Sequence, residues 1–156
     1  MPNPPSDLGT SDSQPDDDAY LALFKRVDAE TPPDHDSYVA LRARIDAVLA
    51  ALEAILDGPI VRFEGQDSEF HTELSGSRGD QSVGISISQW GLLATVTSPV
   101  EVDDPLLESI TSCLRANALV AVPLAESRRP FDGDLTRYVR PEHAPLTWFD
   151  RFFGYL

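Results

Sequence analysis

The amino-acid sequence predicts an α+β fold, in which an antiparallel β-meander of about four to six strands packs against amphipathic helices. Two patterns support this prediction. Over 37–57 and again after Asp103, apolar residues recur at steps of three and four, the period of a helix with one buried face. Between these two segments, over 69–97, apolar and polar residues alternate, which is typical of strands with one solvated face.

A short helix is predicted first, over about 18–29. The acidic run Asp16–Asp18 favours a helix N-terminus, where the backbone dipole is positive. Leu21 and Phe24 begin the helical spacing of its apolar side chains, and Pro32–Pro33 prevents the helix from continuing.

The clearest helix is predicted over 37–57. Asp36 or Ser37 can cap its N-terminus, while Gly58 supplies a residue that tolerates the turn after a helix and Pro59 cannot extend it. Its apolar stripe consists of Leu41, Ile45, Val48, Leu49, Leu52 and Ile55.

The β-meander follows. A short strand is expected at Ile60–Glu64, and a second strand places Phe70, Thr72 and Leu74 on one face, with Glu69, His71 and Glu73 turned to solvent. Gly76–Asp80 has the composition of a turn. The next strand has Val83, Ile85 and Ile87 on one face, which we expect the long helix to cover. A tight link at Gln89–Gly91 leads to the strand Leu92–Thr97.

The second half begins with a helix capped by Asp103 or Asp104, with Pro105 in its first turn and an end near Asn117. Ala118–Leu124 then resembles a strand. Residues 125–146 have the composition of a loop, with one candidate strand around Thr136–Val139. The last predicted helix, about 146–154, carries Phe149, Phe152 and Phe153 at steps of three and four, so we expect it to dock on the core.

Charge is the strongest compositional signal, since 26 acidic and 12 basic residues give a net charge of −14. Such a surface repels nucleic acid and anionic membranes and attracts a basic protein partner. Residues 1–16 are rich in Pro, Ser and Asp, which predicts a disordered acidic tail before a single domain over 17–156. The lone Cys113 excludes an internal disulfide, and the first residues lack the pattern of a signal peptide, so we expect a cytoplasmic protein.

The catalytic and metal-binding patterns examined do not fit. His35, His71 and His143 share no metal-ligand spacing with each other or with Cys113, which is expected to be a small buried hydrophobe. The segment Asp132–Thr136 fits the Asp-x-Asp-x-Thr pattern of haloacid-dehalogenase-type phosphatases, but it lacks the preceding buried strand and reads as a turn. The sequence therefore favours a protein that is not an enzyme and that uses no cofactor and no metal.

A partner-binding surface is the remaining expectation. Acidic residues occur in the two links on either side of the meander's central strands, and an exposed Trp beside acids would resemble a binding hot spot. The alternative for the tryptophan is an indole folded back over the sheet. The candidate partner-binding residues are Glu64, Asp67, Glu69, Trp90, Asp103 and Asp104.

Two resemblances refine the expected function. The C-terminal stretch, Pro130–Gly133 and Leu146–Leu156, resembles the close of small bacterial proteins that are similar to immunity proteins, which neutralise polymorphic toxins. This implies a small acidic protein that occupies a toxin's active site or substrate groove. The order of helices and strands is also similar to that of type III secretion chaperones, which dimerise around an effector segment.

The leading hypothesis is thus a non-enzymatic immunity protein that binds a basic toxin. A secretion or effector chaperone is the alternative. An enzyme using the carboxylates of Asp132 and Asp134 is the third interpretation.

Overall fold

The computed structural model describes residues 17–30, 34–63, 71–88, 90–98, 102–132 and 146–153. The tail predicted over 1–16 and the candidate strand around 136–139 lie outside these residues. The helices and strands of the described residues are, in chain order, α1 (Asp17–Asp28), α2 (His35–Glu53), β1 (Val61–Phe63), β2 (His71–Arg78), β3 (Gln81–Ser88), β4 (Leu93–Val96), α3 (Asp104–Ala116), β5 (Val120–Ala121), α4 (Leu124–Ser127) and α5 (Trp148–Phe153).

The strands form one sheet in the order β1-β2-β3-β4-β5. The first four strands are antiparallel neighbours, as the predicted meander requires, whereas β5 pairs with β4 in parallel. The parallel pair arises because α3 carries the chain back across the sheet between these two strands. The α+β class is confirmed, and the sheet is mixed at one edge.

The β2–β3 hairpin closes in a two-residue turn, narrower than the predicted turn over 76–80. Arg78 pairs with Gln81, so Gly79 and Asp80 form the loop. Gly79 has a φ of +60°, a conformation that would be strained in a residue with a side chain. The φ of Asp80 is not positive. This combination is that of a type II′ turn, whose twist matches that of the flanking strands.

Helices α2 and α3 cover the first face of the sheet. The predicted packing of the Val83, Ile85 and Ile87 face against the long helix is confirmed, because these side chains share a buried cluster with Ile45 and Val48. The α2 cap was misassigned, since Asp34 rather than Asp36 or Ser37 occupies the N-cap position.

The Asp34 carboxylate accepts hydrogen bonds from the Ser37 backbone N–H and hydroxyl, both at 2.8 Å. These hydrogen bonds lower the pKa of Asp34. The helix itself ends at Glu53, earlier than predicted, and the chain makes one further turn before Gly58, whose φ is +93°.

Helix α3 matches the prediction at both ends. Asp103 is its N-cap, Pro105 lies in its first turn and Asn117 is its C-cap. Ala118 follows in the left-handed region with a φ of +59°. Its N–H donates to the Arg115 carbonyl at 3.0 Å, and the Leu119 N–H donates to Leu114 at 3.1 Å, which together form a Schellman motif.

Helices α1 and α5, from opposite ends of the described chain, cover the second face. Trp148 is 1% exposed and lies 5.7 Å from Phe24 of α1 and 4.7 Å from Phe131, measured between ring centroids. Phe152 and Phe153 are also buried in this second cluster, so the predicted docking of the C-terminal aromatic segment is confirmed. None of the described helices combines the length and apolarity needed to cross a membrane.

Candidate protein-binding surface

The N-terminus of α3 holds two of the predicted partner-binding acids. Asp103 and Asp104 are both exposed. The Asp103 carboxylate accepts from the Leu106 N–H at 2.9 Å and from the Gln81 side-chain amide at 2.9 Å, while its own N–H donates to Gln81 Oε1 at 2.7 Å. Asp103 therefore caps a helix and ties it to the β2–β3 hairpin, so much of its hydrogen-bonding capacity is already used.

Trp90 lies far from these acids. It follows Ser88 at the opposite end of β3 from Gln81, and seven residue steps along a strand span roughly 23 Å. The expected exposure of Trp90 is also wrong, because the residue is only 8% exposed.

The contacts of Trp90 explain its burial. Its backbone N–H donates to the Ser88 hydroxyl at 3.1 Å, which fixes the 3₁₀ turn Trp90–Leu92. The guanidinium of Arg151 lies over the indole, 4.1 Å from the ring centroid. The indole thus packs over the sheet, the alternative the sequence left open, and it is not presented as an exposed anchor.

The other three predicted acids, Glu64, Asp67 and Glu69, lie outside the described residues. Their described neighbours in the chain are Phe63 and His71, and these lie toward the Trp90 end of the sheet, since His71 pairs with Ser88. The described residues that flank the two predicted acidic links, Phe63 and His71 on one side and Asp103 on the other, thus lie at opposite ends of the meander.

His71 is 2% exposed, so its predicted orientation toward solvent is wrong. The alternation of apolar and polar residues in β2 and β3 predicts that one face of these strands is exposed to solvent. The small side chains of Ser86 and Ser88 instead leave room for helix α5 over that face. Burial lowers the pKa of His71, and the Glu73 carboxylate, 3.6 Å from its Nε2 atom, partly opposes this effect.

The other side chains considered for reactivity are Asp132, Asp134 and Cys113, and the two that the structure describes are an ion-paired carboxylate and a buried thiol. Asp132 forms an ion pair with Lys25 at 3.2 Å, and its companion Asp134 lies outside the described residues. Cys113 is buried against the first-face cluster, and burial raises the pKa of its thiol. Within the described ranges, no group of three His, Cys, Asp or Glu side chains could hold a metal ion.

The edge strand β1 presents a surface that the sequence did not indicate. Val61 and Phe63 are 63% and 54% exposed, the two largest values among the exposed large hydrophobic side chains of the described chain. They lie on the same face of the strand, because Arg62 between them faces the α2 side. Natural edge strands usually carry charges that discourage pairing with another chain, whereas this one offers two apolar side chains to solvent.

An acidic side chain, Glu73, borders this edge, and we call Val61, Phe63 and Glu73 the β1 surface. Arg62 Nη1 donates to Asp46 Oδ1 at 2.8 Å on the opposite side of the strand, which turns its guanidinium away from Val61 and Phe63. Glu73, directly across the ladder from Phe63, has a side chain that is 49% exposed. The surface therefore combines an exposed aromatic ring with a carboxylate on the same face.

Only part of the β1 surface could have been found from the sequence. The Val-x-Phe spacing of 61–63 places both apolar side chains on one face, but a strand of three residues gives no sign of which face is covered. The deciding fact is the position of α5, which contacts β2 and β3 and leaves Val61 and Phe63 exposed. That position depends on contacts between residues far apart in the chain.

The chain matches no protein-family model, no curated protein and no solved structure. The resemblance of residues 130–133 and 146–156 to immunity proteins therefore stays a prediction. Function is inferred below from the charges and exposed groups of the described residues.

Proposed function

We propose that this protein is a non-enzymatic acidic binding protein of the cytoplasm whose partner is a basic protein, and that it acts as an immunity protein neutralising a bacterial toxin. The observation that carries the proposal is the β1 surface, an exposed Phe63 and Val61 on an open sheet edge in a chain of net charge −14. The toxin pairs an extended segment with β1 and packs an apolar side chain against Phe63.

Charge supports a basic partner. Several basic side chains of the described residues pair with acids of the protein, and the net charge of −14 already counts both members of each pair, so the field at a distance remains acidic. Ion pairs join Lys25 to Asp132, Arg62 to Asp46, Arg129 to Glu126 and Arg151 to Asp28, at 3.2, 2.8, 3.3 and 2.7 Å. The remaining excess of carboxylates accelerates association with a basic surface and opposes association of two copies of this chain.

The exposed ring of Phe63 supports the β1 surface as the partner-binding site. Interface energy is concentrated in a few residues, and aromatic side chains are enriched among them. A hot-spot contact is worth about 2 kcal/mol or more, which corresponds to roughly a 30-fold change in the dissociation constant. Glu64 follows Phe63 directly in the sequence, which keeps one of the predicted acids beside the proposed anchor.

Co-expression tests the proposal. The product of the adjacent gene is expressed alone and together with this protein, and growth and co-purification are measured. We expect the product to be toxic alone and harmless with the wild-type protein. Phe63→Glu should abolish protection while the melting temperature stays unchanged. Val39→Glu is the matched control, because Val39 is 53% exposed on α2, away from the β1 surface.

A harmless neighbouring product would refute the immunity role. Full protection by Phe63→Glu would leave that role standing but remove the β1 surface from it. The chaperone alternative predicts a dimer, so light scattering separates the two functions. A stable dimer in the absence of any partner would favour the chaperone, and a monomer at high protein concentration would count against it.

A further inference from the structure

A cavity of about 260 Å³ lies beside the opposite edge of the sheet. Strand β5 pairs with only Leu93 and Ala94 of β4, whereas β4 continues to Val96. The parallel ladder thus stops short of the end of β4, and helix α3 and the segment 122–125 stand apart at this point. The gap between them forms the cavity.

The wall of the cavity is mainly apolar. Helix α3 contributes Leu107 and Leu114, the sheet contributes Val96, and Val122 and Leu124 close the far side. These side chains offer contact to a hydrocarbon body but no hydrogen bonds. A space of this size is equivalent to roughly nine water molecules, which suits a ligand of about six to eight carbon atoms.

One end of the wall is charged. Thr95 also lines the cavity and is 1% exposed, but it pairs with Ser86 across the ladder, so its side chain lies on the face of the sheet opposite α3. Arg115, one helical turn after Thr111 on the same face of α3, adds a guanidinium, which can only donate.

Arg115 is exposed, and none of the hydrogen bonds or ion pairs within the described part of the chain engages its guanidinium. A cationic ligand would be repelled by this group. A pure hydrocarbon would offer this group no acceptor. A ligand with an apolar body and an anionic acceptor at one end fits both the apolar wall and the guanidinium.

We propose that this cavity binds a small amphipathic monocarboxylate, with the hydrocarbon body against the α3 wall and the carboxylate on Arg115. The site is separate from the β1 surface, at the other edge of the sheet, and does not depend on the proposed partner. Charge-assisted hydrogen bonds are about twice as strong as neutral ones, so the head group should decide which ligands bind.

Isothermal titration calorimetry with sodium octanoate and with 1-octanol tests the site on the full chain. We expect one saturable octanoate site and binding of octanol that is about tenfold weaker or more. Arg115→Met should remove the preference for octanoate. Arg78→Met is the matched control, because it removes an exposed arginine at the far end of the sheet and should leave both ligands unaffected.

The proposal is overturned if octanoate shows no saturable binding, if octanol binds equally well, or if Arg115→Met leaves octanoate binding unchanged.

Discussion

Replacing Arg151 by methionine tests how firmly α5 is held against α1. Arg151 Nε lies 2.7 Å from Asp28 Oδ1, and the two side chains are only 11% and 22% exposed. The same guanidinium lies over the Trp90 ring. Methionine keeps most of the length of the side chain and removes both interactions, so packing changes little while charge and hydrogen bonding are lost.

The expected loss follows from these two contacts. A hydrogen bond between charged groups contributes about 1.5–3 kcal/mol, and a partly desolvated cation–π contact contributes about 1 kcal/mol. Arg151→Met should therefore lower the free energy of unfolding by about 2–4 kcal/mol, a large part of the ~5–15 kcal/mol of a typical domain. Asp28→Asn should cost less, because the amide oxygen can still accept from Arg151.

A double-mutant cycle isolates the interaction energy between Arg151 and Asp28. Urea unfolding followed by tryptophan fluorescence is measured for the wild type, Arg151→Met, Asp28→Asn and the double variant, with the m-value checked for constancy. We expect a coupling energy of about 1–2 kcal/mol. The control cycle uses Arg129 and Glu126, a more exposed local pair at 3.3 Å, for which about 0.3 kcal/mol is expected. Equal coupling in the two cycles would refute the reasoning.

Three further outcomes are expected. Ala118→Gly should stabilise the protein by about 0.5–1 kcal/mol in thermal unfolding, because glycine removes the left-handed strain. Ala116→Gly, at the last position of α3, should instead destabilise it by up to about 1 kcal/mol, and a loss of stability from both variants would contradict the assignment of the cap. Because burial lowers the pKa of His71, the unfolded state binds a proton first and stability falls as pH decreases through the unfolded value. The destabilisation by His71→Gln should then be smaller at about pH 5 than at about pH 8, and a pH-independent difference would argue against a neutral buried imidazole. Cys113 should react with a thiol reagent only as fast as the protein opens, so a rate equal to that of a model thiol would show that it is accessible.

Helices α2 and α3 could be predicted because their signals are local. The apolar stripe of α2 and the Asp103-x-Pro105 start of α3 each specify a helix from neighbouring residues alone. The hairpin at Gly79 is similar, since its turn needs one residue of positive φ and the sequence provides a glycine there. Small errors at helix ends arose because Asp34, Asp36 and Ser37 are all acceptable caps, and the choice among them depends on where the helix must begin to pack.

The second face of the sheet could not be predicted, because its cover comes from both ends of the chain. The sequence indicates that the C-terminal aromatics dock on a core, but it does not show which face they choose. The sequence therefore predicts that His71 faces solvent and leaves Trp90 open between an exposed and a covered position, whereas α5 and Arg151 cover them. The proposed binding surface on β1 could not be predicted for the same reason. Val61 and Phe63 are exposed because α5 covers β2 and β3 and does not cover these two side chains.

The Arg151–Asp28 contact joins residues 123 positions apart, and this separation has a consequence for synthesis. During translation, α1 and the whole meander emerge before any residue of α5 exists. Until α5 leaves the ribosome, Phe24 and the serine-bearing face of β3 lack their aromatic cover, so the growing chain exposes side chains that are buried once α5 has docked. Ribosome-bound chains stalled before Trp148 should accordingly be cut by protease within α1, while released chains resist. The second face of the sheet is thus completed only when residues 148–153 have been added.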